Sequence, residues 1–399
     1  MISFGTLNVE QFRTKHWQKK PLLVRNALPS PESLISKQEL LVLGQNGQCE
    51  ARLITRSKNN AWQLTHGPFH DDRSDKPSFP KKGTWTILIQ GVDTVNPNIN
   101  KLMADFRFAG DALLDDVMIS YATDGGGVGP HLDSYDVFLI QLHGRRQWRI
   151  SPPKSTTAEF EDDLPVKILK KFSPTQEWLL EAGDMLYLPA GWGHDGVAIG
   201  ECITASVGFR APHRNEWLNA YLDDLSDSLE DILSPTPKRL KIVPSKLGRK
   251  HNEKPAHIVA AIPEQLGDWV EELMGKGVAQ KPANKAHIRE LAGRFLTEPK
   301  NQITFVPPSK PLSQTTFSKS LREKGVRLNL ASRCLYSFAP KTFFLNGESF
   351  NVSASQLSTL ALLADSKQLG GKGFQIAAID ADLLESLYDW YENGWITIR

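Results

Sequence analysis

The 399-residue chain is poor in cysteine: it has only Cys49, Cys202 and Cys334, far apart and with no CxxC pair. That excludes a disulfide scaffold and a thiolate zinc site, and it suits a reducing compartment. No apolar run approaches the roughly 18 residues of a membrane-spanning helix, so no membrane association is expected. Charge of one sign is also lacking, since Lys+Arg 47 against Asp+Glu 45 leaves +2. No global field therefore argues for nucleic acid. The opening Met1-Ile-Ser-Phe-Gly-Thr has no basic stretch leading into an apolar run. No secretory signal is expected, and the cytoplasm is the expected location. The 40% hydrophobic and 23% charged residues are ordinary for a globular chain with room for more than one domain.

What the first 212 residues do have is a series of short apolar runs punctuated by Gly, Pro and Asp. These are Leu22–Val24, Thr86–Ile89, Val117–Ile119, Val137–Ile140, Trp148–Ile150, Met185–Leu188 and Ile203–Phe209. Such a series reads as a β-sandwich or barrel. Two short helices are expected beside it, Val9–Trp17 with Asn8 as cap and Leu34–Leu43. The texture changes after Pro212. Residues 215–233 place Trp217, Leu218, Tyr221 and Leu222 at helical spacing among acidic residues, with no Lys or Arg. A basic stretch from Lys238 to Lys254 reads as a solvated linker, and further helices are expected at 262–274 and 285–297. Beyond a Pro-rich joint at 299–311 the order is helix (314–324), strand (326–330), strand (334–338) and a hairpin turning at Asn346-Gly347. Two helices (354–364 and 380–392) and a strand after Trp395 complete a winged-helix-like module.

The strongest chemical signal is Gly125-Gly-Gly-Val-Gly-Pro-His131-Leu-Asp133-Ser-Tyr135. Residues two apart in a strand share a face, so His131 and Asp133 offer an imidazole and a carboxylate side by side. A second glycine-framed segment, Gly183-Asp-Met-Leu-Tyr-Leu-Pro189-Ala-Gly191-Trp-Gly-His194, delivers a third candidate ligand. Two histidines and one carboxylate on one face of a metal leave positions open, the ligand set of non-haem Fe(II) oxygenases. An HxD pair alone is a weak signal. The two glycine-framed halves together match both motifs of a cupin-type double-stranded β-helix.

Downstream, Asp136 to Trp148 reads as an apolar strand that turns at Gly144 and returns with paired arginines. By period two, Arg146 shares a face with Trp148 and Ile150, which points it inward, while Arg145 and Arg149 face out. A guanidinium inside a barrel is costly without an anion, and its planar fork suits a carboxylate. Ser120 either offers the same anion a hydroxyl or bonds to backbone. Thr204 and Ser206 lie on the strand after His194 and face the same space.

These segments, with His16-Trp-Gln-Lys-Lys-Pro-Leu-Leu-Val-Arg25 and Ser206-Val-Gly-Phe-Arg-Ala-Pro212, resemble the JmjC-type 2-oxoglutarate oxygenases. Among these the chain is most similar to the bacterial ribosomal oxygenases that hydroxylate an arginine of large-subunit ribosomal protein sixteen. The resemblance implies Fe(II) at His131, Asp133 and His194, and 2-oxoglutarate on Arg146 and Ser120, with Ser206 a lesser contact. O2 is the remaining co-substrate, and succinate and CO2 are the co-products. A substrate arginine would then meet Tyr135 on the metal-facing side or Asp124 at the rim. The implied fold class is α+β, mainly β. A double-stranded β-helix (cupin/JmjC) barrel over 1–212 is followed by a helical dimerisation region with a basic linker over 213–298. A winged-helix-like module over 299–399 ends the chain. The expected partners are a ribosomal protein substrate and a second copy in a homodimer. Direct DNA binding is not expected, because the helices at 354–365 and 380–392 are not basic. The same ligand set would also serve hydroxylation of a histidine, demethylation of a methyl-lysine, or a cupin metal sensor without turnover.

Overall fold

The alternating runs of the first half pair as antiparallel strands. In chain order they are β1 (Leu22–Val24), β2 (Ala51–Arg56), β3 (Trp62–His66), β4 (Thr84–Ile89), β5 (Leu114–Ala122), β6 (His131–Leu132), β7 (Val137–Ser151), β8 (Gln176–Glu181), β9 (Met185–Leu188) and β10 (Gly193–Phe209). The computed structural model describes residues 2–57, 61–69, 79–153, 158–162, 164–210, 212, 214–226, 282–371 and 379–399. They fall into two units, Met1–Phe108 with Leu114–Arg210, and Ala109–Leu113 with Ala211–Arg399.

In the first unit the strand order is β1-β9-β7-β10-β5-β4-β2-β3, with β6 beside β10 and β8 beside β7. The two longest strands build the barrel. The first half of β7 pairs with β9 and its second half with β8, while β10 pairs with β6 at its start and β5 at its end. Each therefore passes from one layer to the other, which makes the two facing sheets of a double-stranded β-helix. The crossing is marked by Gly144, at φ +66, opposite a register shift between Ile199 and Ile203. A Cβ at Gly144 would lie 2.1 Å from Glu201 O, so only glycine fits this approach. The reversal expected at Gly144 is thus a bend inside one strand: β10 bends with β7, and Arg145–Ser151 continues along the same partner.

Between the layers pack Val137, Leu139, Trp148, Ile150, Leu180, Leu186 and Leu188. The opposite face of β7 and β9 is closed by the N-terminal helix Val9–Lys15, whose Asn8 and Gln11 form a capping box. Its Phe12 is fully buried, stacked on Phe4 at 4.7 Å and edge-on to Tyr187 at 4.9 Å. Such ring pairs are worth about 0.5–1.5 kcal/mol each beyond area burial. The Tyr187 hydroxyl donates to Asp136 and accepts the Gln18 N–H at 2.7 Å, anchoring the chain just beyond Asp133.

In the second unit the helix Arg214–Ser226 touches the helix Pro282–Thr297 through Trp217 and Phe295, ring centroids 4.6 Å apart. The remaining strands are β11 (Val326–Leu328), β12 (Cys334–Phe338), β13 (Lys341–Leu345), β14 (Glu348–Asn351), β15 (Gln368–Leu369) and β16 (Ile396–Ile398). β15-β11-β16 form one small sheet and β12-β13-β14 another. Asn346 and Gly347 both take positive φ, 51 and 87, as the hairpin turn requires. Helices Gln314–Glu323, Ala354–Ser366 and Ala381–Glu392 begin at the caps Ser313, Ser353 and Asp380. The helix expected at 262–274, the part of 215–233 beyond 226 and the basic stretch 238–254 lie outside the described residues. No described helix is long and apolar enough to cross a membrane.

Candidate active site

β6 lies beside the start of β10 with His131 opposite His194. Period two brings Asp133 to the same side as His131. One ligand atom from each of His131, Asp133 and His194 lies within 4.8 Å of the others. His194 Nε2 is 3.5 Å and His131 Nε2 4.0 Å from the Asp133 carboxylate. Each ring turns Nδ1 to a backbone carbonyl, His131 to Gly129 O at 2.9 Å and His194 to Trp192 O at 3.0 Å. A carbonyl only accepts, so Nδ1 carries the proton in both rings and both Nε2 lone pairs are left for a metal. Burial, reinforced by neighbouring His131, pushes the His194 pKa down to about 4, so that ring is neutral at pH 7. Two imidazoles and one carboxylate, open on the cavity side, fit a divalent cation of the Fe(II) class.

The glycine loop sets this geometry. Gly125 N–H donates to Ala198 O, and Ala198 N–H donates to Gly126 O. A Cβ at Gly127 would stand 2.4 Å from Gly196 O, so the loop runs against β10 at backbone contact. Gly191 N–H donates to Asp133 O at 2.8 Å, tying the second glycine-framed segment to the first.

Arg146 is 3% exposed and lines the same cavity, about 420 Å³, as the three candidate ligands. Its guanidinium donates to Ser120 Oγ at 3.2 Å, Thr204 Oγ1 at 3.4 Å and Gly196 O at 3.1 Å, and lies 5.1 Å from the Trp148 ring centroid. All these partners are neutral, and no carboxylate among the described residues pairs with it. Burial lowers its pKa. A buried charge without a counter-ion costs several kcal/mol, so the cavity is built for an anion. A dicarboxylate with one end on the metal and the other on Arg146 fits it.

The rest of the wall comes from alternate residues of four further strands. These are Arg52 and Ile54 of β2, Leu64 of β3, Leu88 of β4 with Gln90 just beyond it, and Asp116, Met118 and Ser120 of β5. Ser206 and Tyr135 line the cavity, but the residue beside Arg146 on β10 is Thr204, two positions earlier in the strand. Asp124 is not brought in. Its Oδ1 accepts the Gly200 N–H at 2.7 Å and holds the bend of β10, away from the cavity wall. Besides Asp133, the acids lining the cavity are Asp115 and Asp116, and Asp116 Oδ2 accepts from Gln90 Nε2 at 2.6 Å. Counting back by two from Ser120 through Met118 would have found Asp116.

Residues 101–217 match the JmjC domain family and residues 279–397 match the ROXA-like winged helix. The ribosomal protein uL16 3-hydroxylase of Escherichia coli (strain K12) is 28% identical over 400 residues, spanning 98% of this chain and 97% of that one. A bifunctional lysine-specific demethylase and histidyl-hydroxylase of Aedes aegypti is 24% identical, over only 52% of this chain and 34% of its own. The X-ray structure of E. coli YcfD superposes at TM-score 0.77 with 28% identity and covers 100% of both chains. The complex of E. coli YcfD with cobalt and 2-oxoglutarate superposes at 0.73 with 28% identity, over 98% of each chain.

Proposed function

The chain is a JmjC-type oxygenase of the bacterial ribosomal kind, and from that premise we propose that it hydroxylates an arginine side chain of ribosomal protein uL16. Iron(II) is held by His131, Asp133 and His194, and the distal carboxylate of 2-oxoglutarate by Arg146 with Ser120 and Thr204, Ser206 lying further along the wall. Iron and 2-oxoglutarate together supply O2 activation, with succinate and CO2 as co-products and a hydroxyl on the target carbon. The chain's own residues do the rest. The carbonyls of Gly129 and Trp192 orient the imidazoles, and Arg146 fixes the co-substrate. A substrate guanidinium would lie between the Tyr135 ring and the carboxylates of Asp115 and Asp116.

The observation that carries this reading is the buried Arg146, without a counter-ion among the described residues, in one cavity with a two-histidine, one-carboxylate cluster. The arginine target is favoured over histidine or methyl-lysine because the similarity to the uL16 hydroxylase runs through both modules. On this reading the chain comprises a catalytic barrel over 1–212, a helical dimerisation region over 213–298 and a winged-helix-like module over 299–399. The exposed Leu218 and Leu222 on the helix Arg214–Ser226 support a homodimer, which sedimentation of the full chain would read directly. A ribosomal substrate implies the cytoplasm. The test is mass spectrometry of unmodified ribosomal proteins incubated with enzyme, Fe(II), ascorbate and 2-oxoglutarate. One added oxygen on an arginine of uL16, absent with His131→Ala, is expected. Succinate release without any ribosomal product would discard the target and keep the oxygenase.

A further inference from the structure

The cavity wall breaks its strand alternation at one place. Between β10 and β5, Val207 lies opposite Val117 and Phe209 opposite Leu114. One residue of β10, Gly208, therefore faces two of β5, Asp115 and Asp116, which is a β-bulge on β5. Period two would send these neighbours to opposite faces, yet both line the catalytic cavity. Bulges beside active sites re-aim side chains in this way. On its other side Gly208 pairs with Val137, two residues beyond Tyr135. A Cβ on Gly208 would stand 3.8 Å from Asp116 Oδ1 and 3.8 Å from Tyr135 Cε2. The missing side chain is thus a gap between a carboxylate oxygen and the edge of an aromatic ring. The backbone itself does not demand glycine there. Its φ lies outside the left-handed region, and the nearest main-chain atom to that Cβ beyond the chain neighbours is Asp116 O at 3.9 Å.

Asp116 is held from behind. Its Oδ2 accepts from Gln90 Nε2 at 2.6 Å, and Gln90 Oε1 accepts from the Arg52 guanidinium at 3.3 Å. The Gln90 amide is gripped at both ends, which turns its N–H to Oδ2 and puts Oδ1 on the side of Gly208. We propose that Gly208 is a specificity-determining residue: it keeps open a slot between the Asp116 carboxylate and the Tyr135 ring that admits a planar guanidinium. This rests on the reading that the substrate side chain is an arginine. A guanidinium is flat, stacks on a ring and donates in its own plane, so it uses both walls of a narrow slot at once. The ammonium of lysine is a compact, strongly hydrated point charge and gains chiefly the carboxylate.

The test is Gly208→Ala, whose added Cβ meets only ordinary van der Waals contacts. Its Tm and its Kd for 2-oxoglutarate should match those of the native protein. Peptides with Arg, Lys or His at the centre, in the uL16 sequence and in a scrambled one, are bound to the protein loaded with Mn(II) and 2-oxoglutarate and followed by fluorescence anisotropy. The native protein is expected to favour Arg over Lys by about tenfold or more in either sequence, and the variant by about twofold or less. An arginine preference that survives Gly208→Ala, or its absence from the native protein in both sequences, overturns the slot. A Tm lower by several degrees would mean that glycine serves the backbone, and overturns it as well. A preference that the variant loses, with no oxygen gained on any peptide by mass in the iron-loaded native protein, keeps the slot and sinks the proposed reaction instead.

Discussion

Replacing Arg146 with methionine separates two effects that usually travel together. In the native protein the guanidinium is buried, with only Ser120, Thr204 and Gly196 O as partners. Its removal strands little. Thr204 Oγ1 keeps its bond to Gln141 Oε1 at 3.0 Å, and Ser120 Oγ keeps Thr204 O at 3.4 Å. Only Gly196 O loses its donor, at about 1 kcal/mol. Against this, an uncompensated buried charge of several kcal/mol disappears. The metal-free Arg146→Met protein is therefore expected to be more stable by about 1–3 kcal/mol, raising Tm by a few degrees in a unit of this size. Co-substrate binding moves the other way. A carboxylate about 4 Å from a guanidinium, at an effective dielectric of 20, is worth about 4 kcal/mol, which is roughly three orders of magnitude in Kd. Thermal scans with Mn(II) as a redox-quiet metal, with and without 2-oxoglutarate, read both effects, and calorimetry gives Kd. At a hundredfold excess over Kd, the native protein gains about 2.7 kcal/mol from 2-oxoglutarate, and the variant should gain nothing at that concentration. A variant that binds 2-oxoglutarate within threefold of the native protein, or whose metal-free Tm falls by several degrees, would refute the argument. Arg146 would then be stabilised by its neutral partners and not held for an anion.

Gly127→Ala places a Cβ 2.4 Å from Gly196 O and should push the loop, with His131, off β10. Metal affinity is expected to fall about 10–100-fold, and an unchanged metal Kd by calorimetry would break the link between loop and ligand. Asp116→Asn should raise KM for the arginine substrate by about tenfold or more, from the loss of one charge-assisted bond, while succinate release without substrate stays level. An unchanged KM would move the guanidinium elsewhere. Tyr187→Phe removes the hydroxyl held between Asp136 and Gln18, at about 1–3 kcal/mol in urea unfolding, and should leave the Kd for 2-oxoglutarate alone.

How much of this is legible in the sequence depends on how far apart the cooperating residues lie. His131 and Asp133 are two apart, and His194 closes a compact glycine-framed segment, so the two framed segments together mark three candidate ligands. The inward direction of Arg146 follows from period two, and burial agrees. The strands β2 and β3 are different. Ala51–Arg56 alternates with arginines and Trp62–His66 with polar residues, and neither is an apolar run. Only the pairing of β2 with β4, thirty-odd residues on, and of β3 with β2 turns them into a cavity wall. Asp124 misleads for the same reason. A carboxylate at a glycine turn looks like a rim group until the bend of β10 brings Gly200 N–H to it. The Gly144 bend hides as well, because a glycine at positive φ serves a tight turn or a bulge equally, and the choice is made by the partner strand.

The ladder between β7 and β10 is also a ruler. His194 lies opposite Ile150, Gly196 opposite Trp148 and Ala198 opposite Arg146. Arg146 is therefore anchored four residues along from the metal, about 13 Å at strand rise. Its guanidinium reaches back to Gly196 O, two residues nearer, which leaves roughly 6–7 Å to the level of His194. A five-carbon oxo-dicarboxylate spans that gap with one end on the metal. Sliding the pair by one residue would turn Arg146 outward, so the register fixes both the presence of the cation and its reach. Oxaloacetate, one carbon shorter, cannot touch both anchors and should bind at least tenfold more weakly than 2-oxoglutarate to the Mn(II)-loaded protein. Equal affinities would mean that the metal end alone holds the co-substrate, and Arg146 would lose its assigned role whatever its burial.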